Sequence, residues 1–264
     1  MTRISGFLID LGGVVYQGDH LIEGSAQAIE ALRAGGIRFR FLTNTTSAPR
    51  RSIVAKLAAM GMDIEPQHVF TPAMAARHLI TARGLKPHFL VAPALMEDFA
   101  DLPAGDRPAV VLGDAGDDFT YAALNAAFRL LEDGADFIAL AKNRKFAGPD
   151  GKPCLDTGAF VAALEYASGR EAEVIGKPAP DFFHAACADM GLDAAETAMI
   201  GDDAEFDASA AVACGLTGVL VHTGKWAPGA ADGLTPAPSM EVKDLRAAVD
   251  RLALTLSQEG GSTN

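Results

Sequence analysis

Cysteine is scarce. Cys154, Cys187 and Cys214 are the only three in 264 residues, an odd number without a Cys-x-x-Cys pair. They carry no disulfide framework and read as small buried hydrophobes of a reducing compartment. Basic residues are few as well: 22 Lys and Arg stand against 34 Asp and Glu, for a net charge of -12. Such a surface repels phosphate backbones, and no basic run suits a lipid headgroup layer, so neither nucleic acid nor membrane is an expected partner. A small anionic substrate is still permitted, because one local Lys or metal ion reverses the sign inside a cleft. No apolar run reaches transmembrane length, and the opening "MTRISGFLIDLGG" lacks the apolar stretch of a signal peptide, which implies a cytoplasmic protein. No Gly-x-Gly-x-x-Gly follows the first apolar run, which removes a dinucleotide-binding reading. No internal repeat stands out, and "SQEGGSTN" (257–264) reads as a disordered tail.

What is present is ordinary globular material, 49% hydrophobic and 21% charged, enough for one large domain or two moderate ones. Short apolar runs alternate with longer amphipathic stretches. "GFLID" (6–10) and "IRFRFLTN" (37–44) read as strands. "SAQAIEALRAGG" (25–36), with a Ser cap, and "APRRSIVAKLAAMG" (48–61) read as helices. The middle repeats this pattern, with strands at 88–92, 109–113 and 136–141 and helices at 120–134 and 156–169. The first pattern then resumes through "AEVIGKPAP" (172–180), a helix at 181–190, "TAMIGDD" (197–203), a helix ending near Gly215 and "TGVLVHTG" (217–224). After the proline-rich loop 227–239 a last helix is expected at about 241–256. Strand–helix alternation predicts a parallel sheet with helices on both faces, as one α/β domain interrupted by a second.

In an open parallel sheet, ligands sit beyond the carboxyl ends of the strands. The residues that end the apolar runs are Asp10, Thr43 with Asn44, Gly176-Lys177-Pro178 and Gly201-Asp202-Asp203, with Asp207 shortly after. Asp10, Asp202, Asp203 and Asp207 would repel one another without a cation, and carboxylate oxygens with room for water suit Mg²⁺. The Thr43 hydroxyl, the Lys177 charge and the N–H groups of the turn after Asp10 are phosphate ligands. A carboxylate can itself attack phosphorus. Taken singly, each has a plainer explanation: Asp10 as a turn residue, Thr43-Asn44 as a helix cap, Lys177 as a solvated loop lysine, "GDDAEFD" as an acidic helix start. All four together, in this order and each at the end of an apolar run, favour chemistry.

The set resembles the haloacid dehalogenase superfamily. Asp10 matches its first motif, Thr43 the second, Lys177 the third, and Gly201-Asp202 with Asp207 the fourth. "FLTNTT", "VIGKP", "MIGDD" and "HTGK", with about 130 residues between Thr43 and Lys177, resemble subfamily IIA, which carries a large α/β cap between motifs two and three. Within it, "NAAFRLLEDGADFIAL" and "FVAALEYASG" are similar to the haloacid dehalogenase-like domain-containing proteins related to phospholysine phosphohistidine inorganic pyrophosphate phosphatase. The resemblance spans roughly 4–255.

It implies a doubly wound parallel-sheet core over 1–80 and 176–264, with a smaller α/β cap inserted at 81–175. It implies Asp10 as nucleophile and Mg²⁺ ligand, with Thr43 and Lys177 holding the phosphoryl group and Lys177 also screening Asp10. Leu11, Gly12 and Asn44 complete the phosphate cradle. Asp202 binds the metal, the Gly12 carbonyl contributes, and Asp203 and Asp207 support it directly or through water. The implied activity is a Mg²⁺-dependent phosphatase acting on a small phosphorylated substrate through an aspartyl-phosphate. The cap closes over the site and mediates a homodimer. Lys142, Asn143 and Arg144 either face an anionic substrate or form a solvated loop. His184 reads as structural.

One position departs from the family. Its first motif is Asp-x-Asp, and this chain has Asp10-Leu11-Gly12-Gly13. The second Asp is the general acid and base, so Gly12 leaves that role vacant, an effect worth about 10²–10⁴-fold. The bland account of Gly12-Gly13 is a tight turn that needs positive φ. The functional account expects slow turnover of alkyl phosphates, and relatively better turnover of aryl and acyl phosphates, phosphoramidates or pyrophosphate. The alternative is a regulatory protein that holds Mg²⁺ and phosphate without turnover.

Overall fold

The run Gly6–Asp10 forms a strand with every residue buried, so it lies inside a sheet and not at its edge. A computed structural model describes residues 3–148 and 152–259, and the chain falls into two compact units. One comprises Met1–Thr43, Val54–Phe70 and Lys177–Asn264; the other comprises Asn44–Ile53 and Thr71–Gly176.

The first unit is built on a six-stranded sheet ordered Met240–Val242, Thr217–Val221, Thr197–Gly201, Gly6–Asp10, Arg38–Leu42 and Val69–Phe70. All its pairs are parallel. Such a sheet is covered on both faces, which explains why its strands read as continuous apolar runs and not as alternation. Phe7, Leu8 and Ile9 are fully buried at its centre. The chain order reverses at Gly6–Asp10, whose neighbours are the second strand of this sheet in the chain and a strand nearly 160 residues further on. That is where open α/β sheets form a crevice beyond their strand ends.

Register fixes what gathers there. Ile9 pairs with Ile200 and Asp10 with Leu42. Asp10 is therefore level with Gly201, Asp202 follows by one residue, and Thr43 leaves the sheet beside Asp10.

The second unit has its own parallel sheet, ordered Glu173–Val174, Asp136–Ala139, Arg107–Leu112 and Leu85–Leu90. Helices Tyr121–Glu132 and Thr157–Ser168 close a core that includes Val110, Leu112, Leu131 and Val161. Phe119 and Phe160 stack beside it with ring centroids 3.7 Å apart. The α/β reading of both regions stands.

Several local expectations are corrected. Ser25 does not cap its helix: Gly24 does, at φ 83°, and the Ser25 hydroxyl donates to the Val15 carbonyl instead. Pro72–Arg83 is a helix that periodicity did not expose, capped by Thr71, opened by Pro72 and closed by Gly84. The polar stretch around Lys145 holds an antiparallel hairpin, Lys145–Ala147 with Pro153–Leu155. Met240–Val242 is a strand, and the last helix begins only at Leu245. That helix continues to Glu259, so residues 257–259 are helical, while 260–264 lie outside the described residues. Cys187 is buried, but Cys154 is exposed and Cys214 intermediate.

Candidate active site

Three loops converge on the end of strand Gly6–Asp10. The first follows Asp10 directly. Leu11 is buried and its carbonyl accepts from the N–H groups of Val14, Val15 and Tyr16, which winds the chain into a tight turn. The second follows Thr197–Gly201. Asp203 caps it by accepting from the Glu205 and Phe206 N–H groups at 3.2 and 3.0 Å. Its carbonyl takes the N–H groups of both Asp207 and Ala208. The result is a wide π-turn over Ala204–Ser209, a feature frequent at functional sites, and it turns Asp207 inward. The third loop is Thr223–Lys225.

Asp10, Asp202 and Asp207 are all buried, and each offers a carboxylate oxygen within 4.8 Å of the others. Lys177 is buried among them, with its Nζ 2.6 Å from Asp10 Oδ1 and 2.7 Å from Asp207 Oδ1. Three carboxylates against one ammonium leave two negative charges. Burial raises the pKa values of Asp10 and Asp202 above the ordinary carboxylate range, and takes that of Asp207 to about 6, against the opposing pull of Lys177. Burial draws Lys177 down, but Asp10 and Asp207 outweigh it and push it above an ordinary lysine.

One oxygen of this cluster, Asp202 Oδ1, is buried without a hydrogen-bond or ion-pair partner, while Asp207 Oδ1 is paired with the Lys177 ammonium. Unsatisfied buried carboxylate oxygens are costly and call for a cation. An oxygen-only donor set with two surplus negative charges fits Mg²⁺.

The other expected residues are placed as follows. Thr43 is buried at the strand end, its N–H directed at the Phe70 carbonyl. Asn44 is half-buried and belongs to the second unit. Asp203 is not part of the carboxylate triad; beyond its capping bonds its Oδ2 lies 3.3 Å from Lys225 Nζ. Lys142 pairs with Glu165 at 2.7 Å, so its charge is committed within the second unit. His184 Nε2 meets the Cys214 carbonyl at 3.0 Å, a structural contact.

The two glycines separate cleanly. Gly13 has φ 81°, and a methyl group there would lie 2.0 Å from Asp202 Oδ2. Gly12 has no positive φ, and a methyl group there would meet nothing within 4 Å. The turn therefore requires glycine at 13 and leaves room for a side chain at 12.

Two contributions escaped sequence reasoning. Tyr16 is half-buried close enough to Asp10 for that charge, added to burial, to raise its phenol, and Lys56 Nζ sits 4.4 Å over its ring. The Thr223–Lys225 loop contacts Gly13 and Asp202 through one hydroxyl and the main chain. Its only signal was the short string "HTGK".

Residues 7–116 match the family described as haloacid dehalogenase-like hydrolase, and residues 174–248 match a HAD-hydrolase-like family. The chain is 38% identical to haloacid dehalogenase-like hydrolase domain-containing protein 2 of Bos taurus over 249 residues, covering 94% of this chain and 96% of that protein. It is also 38% identical to phospholysine phosphohistidine inorganic pyrophosphate phosphatase of Danio rerio over 260 residues, covering 96% and 95%. Among solved structures it resembles a 4-nitrophenylphosphatase of Thermotoga maritima, with a TM-score of 0.86 at 28% identity over 94% of this chain and 97% of that one.

Proposed function

Because the chain belongs to the haloacid dehalogenase-like hydrolases, we propose that it is a Mg²⁺-dependent phosphatase that works through an aspartyl-phosphate on Asp10. The observation that carries this reading is the buried triad of Asp10, Asp202 and Asp207 held around Lys177. An Asp10 oxygen attacks phosphorus as the bond to the leaving oxygen breaks, and water then attacks the same phosphorus to release phosphate and free Asp10. Lys177 keeps its proton throughout, which lets Asp10 ionise inside the protein and offsets charge on the phosphoryl oxygens. Thr43, Asn44 and the N–H groups of Leu11 and Gly12 are the proposed phosphate donors. Asp10, the Gly12 carbonyl, Asp202 and Asp207 would hold Mg²⁺, with Asp203 supporting from its capping position. The ion supplies neutralisation of the charge that develops on the transferring group.

The proposed rate is low on alkyl esters, because Gly12 has no group to protonate the leaving oxygen. The open space around Gly12, where an added methyl group would meet nothing within 4 Å, supports this reading. The favoured substrates are small phospho-compounds whose leaving groups depart with little help: aryl or acyl phosphates, phosphoramidates or pyrophosphate. The names of two relatives, a phospholysine, phosphohistidine and pyrophosphate phosphatase and a 4-nitrophenylphosphatase, support that class.

Hydrolysis of p-nitrophenyl phosphate with Mg²⁺ by wild type, Asp10→Asn and Gly12→Asp tests this. Turnover abolished by Asp10→Asn and increased by Gly12→Asp is the expected result. The vacancy at Gly12 also favours a second reading, a Mg²⁺- and phosphate-binding protein without turnover. Inactive wild type with activity appearing in Gly12→Asp would select it. Equal wild-type rates on alkyl and aryl esters, unchanged by Gly12→Asp, would overturn the role given to position 12.

A further inference from the structure

Asp202 has one oxygen satisfied and one left without a partner. Its Oδ2 accepts the Lys225 main-chain N–H at 2.7 Å, while its Oδ1 is buried without a hydrogen-bond partner. The group that fixes this orientation comes from a different strand end, after Thr217–Val221. What holds that loop in place is a backbone-to-backbone approach. Gly13 and Gly224 both have positive φ, 81° and 60°. A methyl group on Gly224 would lie 2.6 Å from Gly13 Cα and 2.0 Å from Asp202 Oδ2. Neither residue tolerates a side chain, so the two loops touch directly over Asp202. Thr223 fastens the contact: its hydroxyl donates to the Gly13 carbonyl at 2.5 Å. On the far side, Lys225 Nζ reaches Asp203 Oδ2.

We infer that Thr223–Gly224–Lys225 is a positioning clamp, latched to Gly13 by the Thr223 hydroxyl, that aims Asp202 Oδ1 at the cation. Thr223 and Lys225 are positioning residues: neither is among the triad's donor atoms, and they act through the orientation of Asp202. Partners of this kind, one bond behind a ligating carboxylate, typically contribute 10–100-fold to metal affinity. Ordinary folding accounts for a loop at this place, but not for a glycine pair closed over a single carboxylate with its second oxygen left unpartnered.

This rests on the reading of Asp202 as a Mg²⁺ ligand, and the experiment separates the two. Mg²⁺ binding is measured by calorimetry on the full chain without substrate, for wild type, Asp202→Asn, Thr223→Val and Thr223→Ser. Thr223→Val keeps the shape and removes the latch; Thr223→Ser restores it. The expected result is that Asp202→Asn abolishes binding, Thr223→Val weakens it about 10-fold or more, and Thr223→Ser stays within about 3-fold of wild type. Melting temperature without Mg²⁺ is recorded for each variant, so that weaker binding by a folded protein is distinguished from unfolding. Should Thr223→Val fail to fold, Thr223→Ser and Thr223→Ala are compared by the same titration, and Ala is expected to bind more weakly than Ser. Wild-type binding that Asp202→Asn does not disturb would overturn the metal reading. Binding lost in Asp202→Asn but unchanged in Thr223→Val, or in Thr223→Ala where that is used, would overturn the clamp alone.

Discussion

The molecule contains two parallel sheets that differ in what stands at their strand ends. In the first unit one strand ends on Asp10, and two others run directly into Thr43 and Asp202. In the second, Arg107–Leu112 runs into Gly113-Asp114, and Asp136–Ala139 runs into Leu140-Ala141, both buried. Asp114 is the one carboxylate in a comparable place. It is committed locally, accepting from the Gly116 N–H while its own N–H is held by the Thr46 hydroxyl. Architecture alone therefore does not make a site. On the proposed reading, the first sheet carries chemistry because its strand-end acids are buried together with one lysine between them. The second spends its strand-end acid on a turn.

The sharpest way to break this contrast is to make the same change in both sheets. Asp10→Asn is expected to lower p-nitrophenyl phosphate turnover by about 10⁴-fold or more, as removal of a nucleophile does. Asp114→Asn is expected to stay within about 2-fold, since it keeps an acceptor oxygen for the turn. A loss at Asp114 comparable to that at Asp10 would refute the division.

Next in size is Gly12→Asp, expected to raise alkyl phosphate turnover by about 10²–10⁴-fold and aryl turnover by less. The paired change Gly13→Ala is expected to lower the melting temperature and abolish Mg²⁺ binding, because its methyl group would enter Asp202. Calorimetry and steady-state kinetics on the two variants read both effects.

Third comes the charge surplus. In EDTA, burial raises the folded pKa values of Asp10, Asp202 and Asp207, that of Asp207 to about 6, so the folded state holds more protons than the unfolded chain, for Asp207 between about pH 4 and 6. Stability then falls as pH rises through that window. Mg²⁺ at 100 times its dissociation constant is expected to restore about 2.7 kcal/mol at pH 7.5, and less at pH 4, where Asp207 holds a proton. Thermal melts with and without Mg²⁺ at the two pH values test the sign. A Mg²⁺ effect as large at pH 4 as at 7.5 would count against the cluster.

The smallest effect concerns an ion pair of similar length but different setting. Arg40 Nε lies 2.6 Å from Asp189 Oδ2 near the surface, the same separation as Lys177 from Asp10. Arg40→Met is expected to cost under about 1 kcal/mol in a denaturant titration, whereas Lys177→Met leaves three buried carboxylates uncompensated and is expected to cost several.

The two sheets also explain what could be read from the chain directly. Buried parallel strands are continuous apolar runs, so Gly6–Asp10, Thr197–Gly201 and Thr217–Val221 were visible, and so were the polar residues that end the first two. The helix Pro72–Arg83 was missed because its apolar residues are mostly alanines, although Thr71-Pro72 and Gly84 mark both its ends. Met240–Val242 was missed because three residues on a sheet edge leave no period to detect. Ser25 was misjudged because a serine before an amphipathic run looks like a cap whether or not its hydroxyl turns to Val15. The contribution of Thr223–Lys225 was illegible for a deeper reason. It acts through a main-chain N–H and the absence of side chains, and neither announces itself as a reactive group. Position 12 shows the opposite limit: the letters revealed the missing carboxylate, and only the folded turn reveals that the glycine there is sterically optional while its neighbour is obligatory.

The empty space beside Gly12 bears on time as well as rate. On the proposed pathway the absent side chain would assist both halves of the cycle, first handing a proton to the departing group and then taking one from water. A substrate with an easy leaving group bypasses the first need but not the second. Such a substrate would load Asp10 quickly and leave it to wait for unassisted water. The working protein would then spend most of each cycle phosphorylated, so that rapid mixing shows a burst of one leaving group per chain followed by a slow drip, and its dwell time would be set by one missing carboxylate.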